Sequence, residues 1–301
     1  MTATIASTKT ALSEPAKKQK KQKSVSPGSG TKWGNFGIYA LVFILCSAII
    51  APVLYLVFGG FRSNSQIIVD PSGMPSPWVF TNYAEVLAAS GFWMRMWNSL
   101  WVALATTIGV VVLGLMAAYV LAAYKFRGRE AFYTLFTAGL MFPLTVAVTP
   151  LYILIMKLGL TNNLWGVILP QIAFALPMTI IILVPFLRAI PSEIQEAAEI
   201  DGCSQMGFFF RMVLPLSMPG VVTVGILAFV NSWNSYMLPL FILSDSDKFT
   251  LPLAVADFAS EYSVDTARVM AFTTLSMLPA LIFFSLFEKR IVGGLTGAVK
   301  G

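Results

Sequence analysis

Six stretches of the chain stay apolar for about the length that crosses a bilayer core, and short polar segments separate them. At 1.5 Å per helical residue, roughly 20 apolar residues span the hydrocarbon. The pattern predicts membrane-spanning helices at residues 37–59, 100–124, 132–158, 165–187, 219–243 and 269–287. Prolines punctuate them: Pro143 and Pro150 in the third, Pro170, Pro177 and Pro185 in the fourth, Pro239 in the fifth and Pro279 in the sixth. Each removes a backbone donor and bends its helix, which leaves either curved packing or kinked helices along a pathway.

Composition agrees with that reading. Of 301 residues, 57% are hydrophobic and 11% charged, and the mean hydropathy is +0.77. Soluble domains carry about a quarter of their residues charged, so this chain has too little polar surface for a water-soluble globule. The spans carry almost no ionisable groups, whereas ion-driven carriers need carboxylates at membrane depth to hold the coupling ion. Energy for active transport would therefore come from elsewhere. Histidine is absent, which argues against zinc hydrolysis, Ser-His chemistry and a metal site. Cys46 and Cys203 do not suggest a disulfide framework.

The net charge of +6 is concentrated in a lysine-rich stretch, residues 16–23, followed by a Ser/Gly/Pro segment. Residues 1–36 are expected to form a disordered basic tail, with the membrane domain at 37–301. The first apolar run is too long for a cleaved signal peptide and lacks a small-residue cleavage site. With the tail inside, one side of the membrane holds the tail lysines, Lys125, Arg127, Arg129, Arg188, Arg211, Lys289, Arg290 and Lys300. The other holds Arg62, Arg95, Lys157, Lys248 and Arg268. That asymmetry puts both termini in the cytoplasm.

Residues 189–218, between the fourth and fifth spans, are the most informative. Pro191 and Ser192 start a helix, acidic residues occupy its first turns, and Gly202 suits a left-handed stop. A short amphipathic helix, a sharp turn and a second helix returning to the membrane follow. Ala197 and Ala198 leave a small-sided ridge able to enter a groove on another protein, with Glu196, Glu199 and Asp201 as charged anchors on its rim.

This segment resembles the signature of binding-protein-dependent ABC importer permeases: Glu-Ala-Ala, three residues, Gly, nine residues, Ile, any residue, Leu-Pro. Glu196-Ala197-Ala198, Gly202, Leu214 and Pro215 match at that spacing, and Met212 stands in for the isoleucine. The carbohydrate branch is resembled by Phe80-Thr81-Asn82-Tyr83, Asn98-Ser99-Leu100, Trp233-Asn234-Ser235-Tyr236 and the ending from Gly294 to Gly301. The chain looks most like the maltose-type second permease. The resemblance implies an all-α integral membrane fold of six transmembrane helices in a bacterial-type inner membrane. It also implies a second permease subunit, two ATP-binding subunits and an extracytoplasmic sugar-binding protein, with the loop docking on the ATPase. The chain lacks the phosphate-cradling Gly-x-x-x-x-Gly-Lys-Ser/Thr pattern, so ATP and Mg are expected on that partner and no cofactor on this chain.

Polar side chains inside a span need a reason. Asn231, Ser232, Asn234, Ser235 and Tyr236 crowd the fifth span; they could hydrogen-bond and stack a sugar, or bind helix to helix. Gln171, Thr145 and Thr149 are weaker pathway candidates. The segments 244–248 and 256–262 are acidic and aromatic, and are expected to face a binding protein or the outer mouth, or simply solvent. Competing readings are a permease of this architecture for a polyamine, glycerol phosphate or another non-sugar solute, an ion-driven carrier, and a membrane-bound enzyme.

Overall fold

The computed structural model describes residues 32–255 and 265–299. The lysine-rich tail, the 256–262 part of the last expected outer loop and the terminal Lys300-Gly301 lie outside the described residues. By its internal contacts the chain divides into residues 1–50 and 51–301. Helix α1 (Lys32–Gly59) runs through both. From residue 51 on, two short helices, α2 (Asn64–Val69) and α3 (Thr81–Ala88), precede the long α4 (Ser90–Ala123). Then come α5 (Arg129–Gly139), α6 (Leu144–Lys157) and α7 (Leu164–Arg188). The informative loop forms α8 (Ser192–Ile200) and α9 (Gln205–Phe208), and a π-helical turn (Phe209–Val213) joins α9 to α10 (Leu214–Trp233). The remaining helices are α11 (Met237–Ile242), α12 (Leu251–Ala254) and α13 (Thr266–Val299).

Among the described residues, five helical spans are long and apolar enough to cross a membrane, and a sixth arises if the α5–α6 pair is counted as one. That pair corrects the continuous third span expected at 132–158: α5 and α6 are bent by 102° at a short break. The cause is Pro143, which sits in extended backbone (φ −74°, ψ 134°) and disfavours helix at Phe142 before it. The fifth span is corrected as well. It starts at Gln205 rather than 219, because the loop's return helix runs on without a break, and it stops at Trp233. Asn234 caps that end, its backbone and side-chain N–H groups both donating to the Val230 carbonyl at 3.1 and 3.0 Å. Pro239 has no amide with which to carry the ladder back to Ser235, so α11 begins afresh.

The core lies where α4, α7 and α10 cross. Val102, Val110, Val167, Ile168, Ile180 and Leu183 are almost fully buried there. Gly109 and Gly114 permit the approach of α4 to α7: a Cβ on Gly109 would collide with Ile172, and one on Gly114 with Thr179. This is close helix packing through small residues, as membrane interiors favour. A second core, including Phe92, Phe229, Trp233, Leu251 and Phe272, joins α4, α10, α12 and α13.

At the N-terminal end of α4, polar side chains hold the connecting segments. Buried Arg62 donates to the carbonyls of Gln66 and Pro71 at 2.7 and 3.1 Å, and also to that of Asp70. Asn82 donates to the carbonyls of Gly60 and Arg62 at 3.0 and 2.8 Å. Asn98 donates to those of Asp247 and Phe249 at 2.7 and 3.1 Å, and Ser99 Oγ accepts from the Leu251 amide at 2.7 Å. Buried backbone needs such partners, and they give Asn82, Asn98 and Ser99 structural work.

Candidate functional site

The α8–α9 loop is built as its chemistry suggests. Pro191 takes extended backbone and α8 follows at Ser192, with Glu193 in the first turn. Its end is a Schellman closure: the Gly202 amide donates to the Glu199 carbonyl at 3.1 Å and the Cys203 amide to the Ala198 carbonyl at 2.9 Å. Gly202 takes φ +73°, and a Cβ there would meet nothing within 4 Å. Backbone conformation, not space, therefore selects glycine. Ser204 then caps α9, its Oγ accepting from the Gly207 amide at 3.2 Å.

One face of α8 is turned inward. Ala198 is buried and Ile194 half-buried, both within the α4–α7 core, so Ala198 cannot belong to an outward ridge as expected. Residues at positions i, i+3, i+4 and i+7 make the outward stripe instead: Glu193, Glu196, Ala197 and Ile200 are all exposed. Ile200 is 87% exposed and Met206, just past the turn, 68%. Sequence reasoning passed over both, although their apolar character in a charged loop was the available signal. Glu199 is exposed and accepts from Gln195 Nε2 at 3.0 Å, and Asp201 is exposed at the C-terminal cap.

The loop is rooted in the bundle at three places. Tyr124 Oη pairs with Gln205 Oε1 at 3.3 Å, the Tyr119 ring packs edge-on to Phe209 at 5.1 Å, and Phe208 and Val213 are buried in the core. The π-turn gives the last part of the signature a physical role. Pro215 supplies no amide to the Arg211 carbonyl four residues back, while the Leu214 amide reaches back five residues to Phe209. Ser217 Oγ donates to the Val213 carbonyl at 2.7 Å, which ties down the turn's last residue.

The expected pathway residues do not stay together. The break after α10 opens beside a cavity of about 800 Å³ lined by Trp233, Asn234, Tyr236, Thr273, Ser276 and Met277, among others. Asn234 and Tyr236 thus share a wall, whereas Asn231 and half-buried Ser235 do not line it. Thr273 and Ser276, three apart on α13, were not anticipated; hydroxyls one turn apart in an apolar span were the signal. Ser232 faces the other way and pairs with Gln171 Oε1 at 2.5 Å; that oxygen also accepts from Thr106 Oγ1 at 3.1 Å. All three are buried, so Gln171 ties α4, α7 and α10 together rather than lining the cavity. Thr145 and Thr149 are exposed on α6, away from it. Among the described residues no group of three or more His, Cys, Asp or Glu side chains could hold a metal.

The family described as binding-protein-dependent transport system inner membrane component matches residues 110–295, more than half of the chain. The chain belongs to this family. It is a multi-pass inner-membrane permease component of an ABC transporter, a non-catalytic part of an import machine. The permease is 35% identical over 260 residues to the diacetylchitobiose uptake system permease protein NgcG of Streptomyces coelicolor, covering 86% of each chain. It is 36% identical over 253 residues to the trehalose transport system permease protein SugB of Mycobacterium tuberculosis, covering 83% of this chain and 92% of that one. A chain of a bacterial ABC transporter that imports the acidic polysaccharide alginate shares the fold, with a TM-score of 0.76 at 20% identity over 88% of this permease and 99% of that chain.

Proposed function

We propose that this permease is one of two membrane subunits of an ATP-driven importer for a sugar or oligosaccharide, with both termini in the cytoplasm. The outward stripe Glu193, Glu196, Ala197 and Ile200 carries the reading. An apolar residue so exposed among carboxylates, on a helix held from behind by the bundle core, suits a groove on a soluble partner. In this reading Glu196, Ala197, Glu199 and Asp201 meet the ATP-hydrolysing subunit, while Ala198, Gly202, Leu214 and Pro215 fix the loop's shape. Two copies of that subunit bind ATP and Mg, and the push they deliver enters the membrane through the π-turn and α10.

The cavity beside the α10 break supports the substrate side of the proposal. Exposed Tyr236 offers a ring face and Asn234, Thr273 and Ser276 offer hydrogen bonds, the mixture that holds a sugar. The named relatives handle diacetylchitobiose and trehalose, which favours a di- or oligosaccharide brought by an extracytoplasmic binding protein. A solved alginate transporter is in complex with a periplasmic protein bound to an alginate pentasaccharide, and a chain of it shares this fold at a TM-score of 0.62 and 11% identity.

The test is copurification of the tagged permease from its native membrane in mild detergent, with partners identified by mass. An ATPase, a second permease and a solute-binding protein are expected, and the binding protein can then be screened against sugars. A permease recovered alone, even after crosslinking at Cys203, would overturn the assembly. A binding protein that takes polyamines but no sugar would overturn the substrate.

A further inference from the structure

We propose that the groove between α4 and α5 binds an anionic phospholipid. The groove has a volume of about 540 Å³, and Leu113, Met116, Val120, Phe126, Phe132 and Phe136 line it. None of these side chains offers a hydrogen bond. Leu113, Met116 and Val120 face outward on successive turns of α4, giving a trough about 10 Å long at 1.5 Å per residue.

The chemistry changes at the end of the trough where α4 stops. Exposed Lys125 and Arg127 flank Phe126, one of the lining residues. Arg129 follows; its Nε has no hydrogen-bond partner among the described residues and lies 3.7 Å from Glu130 Oε1. Glu130 is the sole carboxylate between Tyr124 and Phe132, and it is also shared with Arg188 at 3.9 Å. Arg129 and Arg188 thus share one carboxylate, and Lys125 and Arg127 add two exposed positive charges to the same short segment.

An apolar trough ending in surplus positive charge matches a molecule with a long hydrocarbon tail and an anionic head. A phosphodiester brings one negative charge and several acceptors, which exposed Lys125 and Arg127 can reach from a flexible stem, while Arg129 adds its charge from behind. A zwitterionic lipid brings its own ammonium group into the same basic cluster and is disfavoured. A helix from another subunit would fill the trough too, and its signature is crosslinking from Met116 rather than a preference between lipids.

The test uses the assembled transporter, stripped of lipid in detergent and titrated with phosphatidylglycerol or phosphatidylcholine under native mass spectrometry. Wild type should retain phosphatidylglycerol in preference. The exposed-site variant Lys125→Gln/Arg127→Gln should lose roughly thirtyfold of that affinity, at about tenfold for each 1.4 kcal/mol and about 1 kcal/mol per basic residue at the surface. Met116→Trp, which fills the trough from an exposed position, should lose both lipids. Equal retention of the two lipids by wild type, or unchanged phosphatidylglycerol retention by both variants, would overturn the site. So would crosslinking of a Met116→Cys variant to another protein subunit in the native membrane.

Discussion

Gly202 separates the shape of the α8–α9 loop from the stability of the bundle. Its φ of +73° costs an ordinary L-residue about 1–2 kcal/mol, and Asn less, because its short side chain tolerates that conformation. No steric penalty adds to this, since a Cβ would meet nothing within 4 Å. The strain falls on two hydrogen bonds at an exposed helix end, so Gly202→Ala should shift the closed end toward fraying by a factor of about 5–30. The core packed by α4, α7 and α10 is untouched, and the thermal midpoint should move by no more than about 3 °C. Substrate uptake driven by ATP in proteoliposomes should fall several-fold for Gly202→Ala and less for Gly202→Asn. Gly202→Asp shares the backbone tolerance of Asn but adds a carboxylate beside Glu199 and Asp201; it should fall below Asn and block uptake while insertion stays normal. Uptake by Gly202→Ala equal to wild type would refute the claim that this turn's geometry sets coupling. Equal loss in Asn and Asp would refute the charge argument.

Pro215→Ala restores an amide under the Arg211 carbonyl and should relax the π-turn into α-helix; the chain should stay as stable or gain, while uptake per ATP hydrolysed falls. Gln171→Leu removes the shared acceptor of Thr106 and Ser232, and should cost about 1 kcal/mol, read as a lower thermal midpoint with sugar affinity of the binding protein unchanged. Burial pushes the Tyr83 phenol above its ordinary value of 10.0, against a smaller lowering by its hydrogen bond with Thr274. The folded chain therefore holds that proton more tightly than the unfolded one. Stability should be flat below pH 10 and decline above it, and Tyr83→Phe should flatten that decline while losing the 2.8 Å bond to the Val57 carbonyl, seen in thermal unfolding from pH 7 to 11.

Hydropathy made the spans legible because the solvent of a membrane protein selects for apolar length, and length is what a sequence displays most directly. The α8 start and the Gly202 stop were legible for the same kind of reason: each depends on backbone chemistry within a few residues. The break at Pro143 was signalled by the proline but not its size, because a bend of 102° depends on what the two halves pack against. Ala198 shows the limit more sharply. Both alanines of the Glu-Ala-Ala triplet are small, and only the position of α8 against the α4–α7 core decides that Ala197 faces out and Ala198 in.

The pathway residues follow the same logic. Asn231, Ser232, Asn234, Ser235 and Tyr236 are neighbours in sequence, yet successive residues of a helix point about 100° apart, and α10 ends within this run, at Trp233. Ser232, inside α10, is turned to the Gln171 knot, while Asn234 and Tyr236, in the break after Trp233, reach the cavity. Because α10 also continues through the π-turn into α9, the loop and the cavity wall are two ends of one nearly unbroken helix from Gln205 to Trp233. Between Gln205, three residues after Gly202, and Trp233 no non-helical linker interrupts the chain. Gln171 holds the cavity end of α10 to α4 and α7 through Ser232 and Thr106. Breaking the knot with Gln171→Leu should thus loosen uptake from ATP hydrolysis, while breaking the turn with Gly202→Ala should lower both together.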